Sequence, residues 1–332
     1  MNPSPAKTYH LSCTVDPYRD GWLLARFLSE RFRYHPPHLW DERLAAGVVR
    51  VNGTVAAGDT PVRKGDTVQY EIVHAEPEVD FRYDVLHEDA DVLAVGKSGN
   101  LPVHAGGKFI ENTLIARLRD DFGTTDLTLA HRLDRETSGV VLLARNRAAA
   151  RGLQMQFEER GVEKQYVAVV RGILEDTVVD APIARREPAA PPYFRVVDSD
   201  RGRASVTAFR HLAHGESRAP DSDDLPLSLV EARPESGRTN QIRVHAAHLG
   251  HPILGDKIYG IPEALAREFV DAGPTEAIDR AAGAPRHLLH CLRLRLIHPA
   301  TGAPLEVSAP LPEDLRSAAS WSPPLGDRFG PA

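Results

Sequence analysis

A polar stretch, His131-Arg132-Leu133-Asp134-Arg135-Glu136-Thr137-Ser138-Gly139, lies near the middle of the chain between two apolar runs. The run before it is Leu127-Thr128-Leu129-Ala130, and the run after it is Val140-Val141-Leu142-Leu143-Ala144. Two short β-type runs around a polar segment that ends in Ser-Gly predict a strand, an exposed turn and a second strand. Such a turn presents the Asp134 carboxylate between two arginines on a supported loop, where functional residues concentrate. The alternative is an ordinary hairpin tip with solvated charges.

Composition places the chain among globular proteins. It has 332 residues, of which 42% are hydrophobic and 26% charged, so one large core and a small domain can form. No apolar run is long enough to span a membrane, and no basic-then-apolar signal pattern precedes Thr14, so a cytoplasmic protein is expected. Cys13 and Cys291 supply neither a disulfide framework nor a thiolate metal site. The net charge of −6 argues against indiscriminate RNA binding, so an RNA partner would need a local basic face.

The central stretch resembles the signature of the RluA-type pseudouridine synthases, which isomerise uridine within RNA. The shared wording is His-Arg-Leu-Asp-x-x-Thr-Ser-Gly, and only Arg135 and Glu136 fall at its variable places. The resemblance implies an α+β catalytic domain with a large mixed, mostly antiparallel sheet flanked by helices. It also implies that Asp134 is the nucleophile and that Arg132 fills the gap left by an extruded base.

Two further motifs of that family precede and follow the signature. Two strand-like runs, 83–89 and 91–97, end in Lys97, which the family follows with proline and this chain follows with Ser98. After a predicted helix over 147–160, Lys-x-Tyr-x-Ala-x-Val resembles the motif whose tyrosine, here Tyr166, stacks on the target base. A tyrosine that only packs in the core is the alternative. A flipped base needs an aromatic or apolar wall, which favours the stacking role.

The segment 237–250 resembles the last catalytic motif of the family. It predicts a helix with Thr239 as its N-cap and Gly250 and Pro252 as its stop. Asn240 stands where the family has histidine and keeps a donor and an acceptor. The following motif, His251-Pro252-Ile253-Leu254-Gly255-Asp256-Lys257-Ile258-Tyr259-Gly260, is intact. The resemblance gives catalytic roles to Asp134, Tyr166 and Arg243, with Arg243 pairing with Asp134, and substrate contacts to His131, Arg132, Arg238 and Gln241. The planar guanidinium of Arg243 predicts that this pairing uses two parallel hydrogen bonds to the Asp134 carboxylate.

The remaining segments predict smaller features. Residues 1–19 are an N-terminal extension, and 20–78 resemble a degenerate form of the αL RNA-binding module of ribosomal protein S-four, with two helices separated by His35-Pro36-Pro37-His38. The catalytic domain covers 79–312, with long loops over 184–224, and a proline-rich, partly disordered tail covers 313–332.

The expected activity is therefore that of an RNA isomerase acting on specific uridines of large-subunit ribosomal RNA or transfer RNA. No cofactor motif is present, and the three histidines of 245–251 lack the carboxylate or thiol that would complete a metal site. We expect a monomer with RNA as its partner, no nucleotide cofactor, no metal and no membrane contact. Two alternatives stay open: a non-catalytic RNA-binding or ribosome-assembly protein of the same fold, and an Asp–His hydrolase that uses His131 or His104.

Overall fold

The computed structural model of the chain describes residues 6–32, 35–186, 195–217, 226–325 and 329. The chain divides into two compact units, one formed by residues 1–79 and 104–113 and the other by residues 80–103 and 114–332. The excursion 104–113 lies in the first unit because Glu76 binds it: the carboxylate accepts the backbone N–H groups of Ile110, Glu111 and Asn112 at 2.8–2.9 Å. The sequence predicted one boundary near residue 78 and did not predict that residues 104–113 belong to the first unit.

The first unit is an antiparallel sheet with two helices. Its strands lie in the order β1-β4-β2-β3. They are β1 (Lys7–Thr14), β2 (Arg50–Val51), β3 (Thr54–Val55) and β4 (Thr67–His74), and the helices are α1 (Leu24–Arg31) and α2 (Pro37–Ala45). The predicted helices and the Asn52-Gly53 turn are confirmed, and both turn residues have the positive φ that a tight hairpin requires. The apolar core contains Phe27, Leu28 and Trp40.

The predicted extension over residues 1–19 is wrong from residue 7 onward. Strand β1 pairs with β4 along its whole length. Its odd-numbered residues Tyr9, Leu11 and Cys13 face the core, whereas the residues between them are exposed. This alternation is the signature of a half-buried strand.

The second unit is built on a mixed sheet. Its central path runs β10-β13-β14-β9-β15-β8-β6-β5, with β16 beside β15 and β7 beside β8. Its strands are β5 (Tyr83–Glu88), β6 (Val92–Lys97), β7 (Thr128–Leu129), β8 (Ser138–Ala144), β9 (Glu163–Arg171), β10 (Thr177–Asp180), β11 (Ile183–Arg185), β12 (Arg195–Val197), β13 (Val206–Glu216), β14 (Pro226–Pro234), β15 (Leu289–Ile297) and β16 (Pro304–Ser308), of which β11 and β12 pair with each other. Its helices are α3 (Leu114–Asp121), α4 (Arg147–Glu158), α5 (Gln241–His248), α6 (Glu263–Ala272), α7 (Glu276–Ala282) and α8 (Glu313–Arg316).

The predicted α+β fold is confirmed. Among the described pairings of this sheet, β15 with β8 is parallel and the others are antiparallel. Both faces of the sheet are apolar. Val167 and Val169 of β9 belong to one buried cluster, and Ala168 and Val170 belong to a second cluster that includes α5. None of the helices within the described ranges is long and apolar enough to cross a membrane.

Two segments predicted to be irregular contain more ordered structure than expected. Residues 211–216, which fall within the loops predicted over 184–224, continue β13 and pair with β14. The tail is packed as far as residue 325, because Leu315, Trp321 and Leu325 are buried in the cluster that also contains Val167. Most of the predicted loops over 184–194 and 217–225 lies outside the described residues.

Candidate active site

The sheet brings the central polar loop and Tyr166 to opposite sides of one residue, Cys291. The loop joins β7 to β8, and Gly139 of β8 lies beside Cys291 in the parallel register. Tyr166 of β9 lies beside Cys291 in the antiparallel register. Gly139 has a φ of +108°, and a Cβ there would lie 2.2 Å from the Cys291 carbonyl oxygen. Only glycine fits, so the last residue of the signature permits the close approach of the two strands.

Asp134 and Arg243 form the expected ion pair, but with a different geometry from the one expected. Arg243 Nη1 donates to Asp134 Oδ2 at 2.8 Å, and the Asp134 side chain keeps 34% of its surface exposed. A guanidinium can bind a carboxylate through two parallel bonds. That fork of Arg243 does not face Asp134, so the predicted two-bond contact is wrong.

The fork binds Asp256, for which the sequence predicted no role. Arg243 Nε donates to Asp256 Oδ2 at 2.6 Å, and Nη2 donates to Oδ1 at 2.8 Å. Asp256 is fully buried, and its Oδ1 also accepts the backbone N–H groups of Ile258 and Tyr259. The sequence did contain a signal for this role, because Asp256 belongs to the intact motif that follows α5.

The two carboxylates also differ in their electrostatic effect on Arg243, which is larger for Asp256 than for Asp134. Burial opposes the charge of Arg243, but Asp256 first and Asp134 second raise the pKa of Arg243 well above its usual value. Burial would likewise raise the pKa of Asp256, and the charge and hydrogen bonds of Arg243 lower it instead. Arg243 is therefore a permanent cation, and Asp256 is its fixed counterion.

Tyr166 lies half-buried beside this ion pair. Burial raises the pKa of its phenol well above the usual value, followed by Cys291 and then by the charge of Asp134. The Asp134 carboxylate is thus close enough to act on the ring electrostatically. Cys291 is fully buried, and burial raises the pKa of its thiol to about 12, so the thiol stays neutral.

A buried polar network supports the loop from below. Glu136, which falls at a variable place of the signature, accepts the His287 backbone N–H at 3.0 Å and one bond from Arg135. Burial alone would raise the pKa of Glu136, but His287, Lys257 and Arg135 lower it. Arg286 donates to the Glu136 carbonyl at 2.9 Å. The network fixes the backbone on the C-terminal side of Asp134.

His131 is held inside the hairpin. Its Nε2 accepts the backbone N–H of Leu142 at 3.1 Å, and its ring stacks on Phe157 of α4 with centroids 5.0 Å apart. Burial lowers the pKa of His131 to about 4, so the ring is neutral at pH 7. This geometry favours a structural role over the predicted substrate contact.

Gln241 and Arg238 differ in what they can still bind. Gln241 Oε1 accepts from Ser236 Oγ and Arg238 N, and its Nε2 donates to Val206 O and Thr207 Oγ1. These four bonds use the full capacity of the amide, which favours a positioning role over the predicted contact with RNA. Arg238 is half-buried, and its Nε donates weakly to Ala204 O at 3.4 Å.

The helix α5 begins one residue later than predicted. Its N-cap is Asn240, in a left-handed conformation with φ +57°, rather than Thr239. Asparagine tolerates this conformation better than most residues. Its Nδ2 donates to the Tyr259 hydroxyl at 2.9 Å, and its Oδ1 accepts a long bond from Arg243 Nη1 at 3.4 Å. Asn240 thus supports the arginine by hydrogen bonds alone.

Arg132 is exposed on the loop that carries Asp134, where it can contact a ligand. Two of the three histidines considered for a metal are engaged in other contacts. His245 bonds Thr207 Oγ1 and Ala181 O, and His251 Nδ1 bonds Arg171 O.

One His-Asp-His cluster has the composition of a metal site. Asp89 Oδ2 lies 2.6 Å from His87 Nε2 and 3.0 Å from His298 Nε2. His298 Nδ1, however, accepts two backbone N–H groups, so its Nε2 carries the proton and donates to Asp89. A histidine that binds a metal through Nε2 must instead have that nitrogen unprotonated and carry its proton on Nδ1.

Comparisons with known proteins agree on one family. The sequence profile described as RNA pseudouridylate synthase matches residues 91–248. "Ribosomal large subunit pseudouridine synthase D" of Xanthomonas campestris pv. campestris is 35% identical over 299 residues, which cover 87% of this chain and 85% of that protein. "tRNA pseudouridine synthase C" of Salmonella typhimurium is 35% identical over 71% of this chain and 88% of its own length.

A solved structure extends the likeness to the fold. The structure described as "Human RNA Pseudouridylate Synthase Domain Containing 1" superposes with a TM-score of 0.55 at 27% identity. The match covers 71% of this chain and 86% of that one.

Proposed function

The chain belongs to the RNA pseudouridylate synthase family and isomerises uridine to pseudouridine in RNA, and from this premise we propose that Asp134 is its nucleophile. The observation that carries the proposal is the position of the Asp134 carboxylate, one-third exposed and 2.8 Å from the buried cation of Arg243. A nucleophile that both attacks and leaves must be ionised inside a partly dry cleft. The fixed cation of Arg243 lies against this negative charge and stabilises it.

The reaction is an isomerisation without redox change. The bond from the sugar to the ring nitrogen breaks, a bond from the sugar to a ring carbon forms, and that carbon loses its hydrogen while the nitrogen gains one. Asp134 forms a transient bond either to the uracil ring or to the anomeric carbon of the sugar, and leaves at the end. Because substrate and product are isomers, the reaction needs no redox or group-transfer co-reactant. We propose that the enzyme uses no nucleotide cofactor and no metal.

The target base must leave its stack to reach Asp134. We assign Tyr166 to stack on the extruded base, since its ring is half-buried beside the ion pair. We assign Arg132 to the space that the base leaves, because its side chain is exposed on the same loop. Arg238, half-buried ahead of α5, is assigned to contact the RNA backbone, for which a permanent cation is suited.

The relatives suggest the substrate class. One is named for ribosomal large-subunit RNA and another for transfer RNA, so we propose that the target uridine lies in one of these two RNAs. Both cysteines are free thiols, as in proteins of reducing compartments, and we propose that the protein acts in the cytoplasm. We further propose that the protein acts as a monomer, which sedimentation of the purified chain would test.

The test of the nucleophile is Asp134→Asn. The variant should release no tritium from RNA that carries 5-tritiated uridine, because an amide cannot attack and leave as a carboxylate does. It should bind the same RNA within a few-fold of the wild type. Turnover at the wild-type rate would remove Asp134 from this role. Simple ester substrates should not be hydrolysed by either form, and hydrolysis would revive the Asp–His alternative.

A further inference from the structure

A buried arginine, Arg286, lies beneath the loop that carries Asp134. Its Nη1 donates to the Glu136 carbonyl at 2.9 Å, and its Nη2 donates to Ser138 Oγ at 3.1 Å. The same Nη1 donates to the carbonyl of the next residue, His287, at 3.1 Å. One guanidinium thus holds the loop at two places on the C-terminal side of Asp134.

The guanidinium of Arg286 is also bound by Asp314, which lies in the C-terminal helix α8. Arg286 Nε donates to Asp314 Oδ2 at 2.7 Å and Nη2 donates to Oδ1 at 2.9 Å, so the contact uses two parallel bonds. Helix α8 is itself fixed, because Leu315 is fully buried in the cluster that contains Val167 of β9. The core of the sheet therefore holds Asp314 in place, and Asp314 orients Arg286.

Gly99 leaves the space that the arginine side chain occupies. A Cβ at Gly99 would lie 2.3 Å from Arg286 Cδ and 2.5 Å from its Nε, closer than such atoms approach in proteins. The side chain could not easily move aside, since its guanidinium is bound to the loop and to α8. Arg286 is therefore confined between Gly99, the loop and α8.

We propose that Asp314 and Arg286 are positioning residues for the isomerisation, so that the C-terminal segment contributes to the catalytic rate through Asp314. Asp314 orients the guanidinium, and the guanidinium sets the backbone from which the Asp134 carboxylate extends. The proposal rests on Asp134 being the nucleophile. The rate should depend on this placement, because a displacement of about 1 Å can lower a rate about a hundred-fold.

The charge of Asp314 matters because the other groups bound to Arg286 are uncharged. Among the described residues, Asp314 supplies the carboxylate in contact with Arg286, and the other acceptors are carbonyl and hydroxyl oxygens. Burial, followed by the charge of Arg286, lowers the pKa of Lys97 well below its usual value, so a second basic group lies nearby. A buried guanidinium without its carboxylate would move towards solvent, and so away from the Glu136 carbonyl.

The test is Asp314→Asn, which keeps the size of the side chain and removes its charge. The single-turnover rate at saturating enzyme should fall about ten- to a hundred-fold. The affinity for RNA should stay near that of the wild type, because no group that contacts RNA is changed. Asp314 leaves 44% of its side chain exposed, so the variant should fold. Asp314→Glu keeps the carboxylate and should recover most of the rate.

Two further variants separate this role from a general effect on α8. Glu313→Gln is the matched control, since it removes an exposed carboxylate from the same turn, and its rate should be unchanged. Gly99→Ala displaces Arg286 from another side and should lower the rate by a factor similar to that of Asp314→Asn. Because both changes act through Arg286, the double variant should be no slower than the slower single variant.

Several results would overturn the proposal. They are a wild-type rate in Asp314→Asn or in Gly99→Ala, an equal loss in Glu313→Gln, losses that multiply in the double variant, and a loss confined to RNA affinity. Asp134→Asn, assayed alongside, separates the two proposals. An active Asp134→Asn would remove the nucleophile, whereas an inactive one beside a fully active Asp314→Asn would remove the positioning role alone.

Discussion

The loop over 131–139 and the loop over 251–260 each present one aspartate to Arg243, and they hold it differently. Asp256 is fully buried and accepts both bonds of the guanidinium fork as well as two backbone N–H groups. Asp134 is one-third exposed, and within the described chain its carboxylate accepts one bond, from Nη1 of the same arginine. The buried carboxylate sets the position of the cation. The exposed one keeps its lone pairs for a substrate.

The first prediction concerns the buried member of this pair. Asp256→Asn should lower the free energy of unfolding by about 3–5 kcal/mol, because it leaves a buried guanidinium without its main counterion. Asp134→Asn should lower it by less than about 1 kcal/mol, since a partly exposed pair contributes little. Urea denaturation of both variants measures the difference. Equal losses would mean that the two aspartates share the structural role.

The second prediction concerns the arginine between the two loops. Arg243→Lys keeps the charge but supplies a point contact on a flexible stem, so it cannot bind Asp256 through a fork and reach Asp134 at once. The variant should lose about 2–4 kcal/mol of transition-state stabilisation, so the single-turnover rate should fall roughly thirty- to a thousand-fold. Arg238→Lys is the matched control and should weaken RNA binding with a near-normal rate. An unchanged rate in Arg243→Lys would indicate that another cation, such as Arg132, holds the nucleophile.

The two loops also show which parts of the site can be predicted from the sequence. The wording around Asp134 predicted the strand–loop–strand layout and the ion pair with Arg243, because a motif preserves residue types at fixed spacing. It assigned both bonds of the guanidinium fork to Asp134, whereas Asp256 receives them, since the outcome depends on how the loop of Asp256 approaches α5. The roles predicted for His131 and Gln241 fail to match their contacts for the same reason. A motif does not say whether a polar residue faces the cleft or the interior.

The first unit repeats this lesson with a weaker pattern. The Asn52-Gly53 turn was predictable because only a few residues accept positive φ at two successive positions. Strand β1 was missed although Tyr9, Leu11 and Cys13 alternate with polar residues. Its partner β4 begins at residue 67, and such distant pairing leaves no local trace. The packing of Trp321 was not predicted either, because its partners, such as Val167, are distant in sequence and the local proline-rich composition indicates an irregular segment.

The third prediction concerns the support beneath the loop over 131–139. Ser138 Oγ hydrogen-bonds His290 Nδ1 at 2.9 Å, and burial lowers the pKa of His290 to about 4. The unfolded chain takes up this proton near pH 6.5, so stability present above that pH is lost as the pH falls towards 4. The slope for one such proton is about 1.4 kcal/mol per pH unit. His290→Asn should reduce the slope of unfolding free energy against pH by up to this amount.

Ser138→Ala provides the comparison for that measurement. It removes the hydrogen bond but leaves the imidazole buried, so it should lower stability at every pH while keeping the slope. If both variants retain the full slope, then other groups, such as His131 with its pKa near 4, account for the acid sensitivity.

The last and smallest effect is expected at Ser98, where the chain departs from the proline of its family. Lys97, the preceding residue, reaches beneath the Asp134 loop and donates to the Arg135 carbonyl at 3.0 Å. Ser98 anchors this segment in a way proline cannot, because its N–H donates to Arg82 O at 3.2 Å and its Oγ donates to Asp80 O at 2.6 Å.

Ser98→Ala removes the hydroxyl bond alone and should cost about 0.5–1.5 kcal/mol of stability. Ser98→Pro also removes the N–H bond, so it should cost more even though it restores the family residue. Thermal unfolding of the two variants, with single-turnover rates measured alongside, tests this order. The rates should stay within about two-fold of the wild type, since neither change touches the carboxylate or its arginine. If Ser98→Pro were the more stable of the two, then rigidity of the backbone would outweigh the two hydrogen bonds. The support of the Asp134 loop would then depend on the chain entropy of its neighbours rather than on polar contacts.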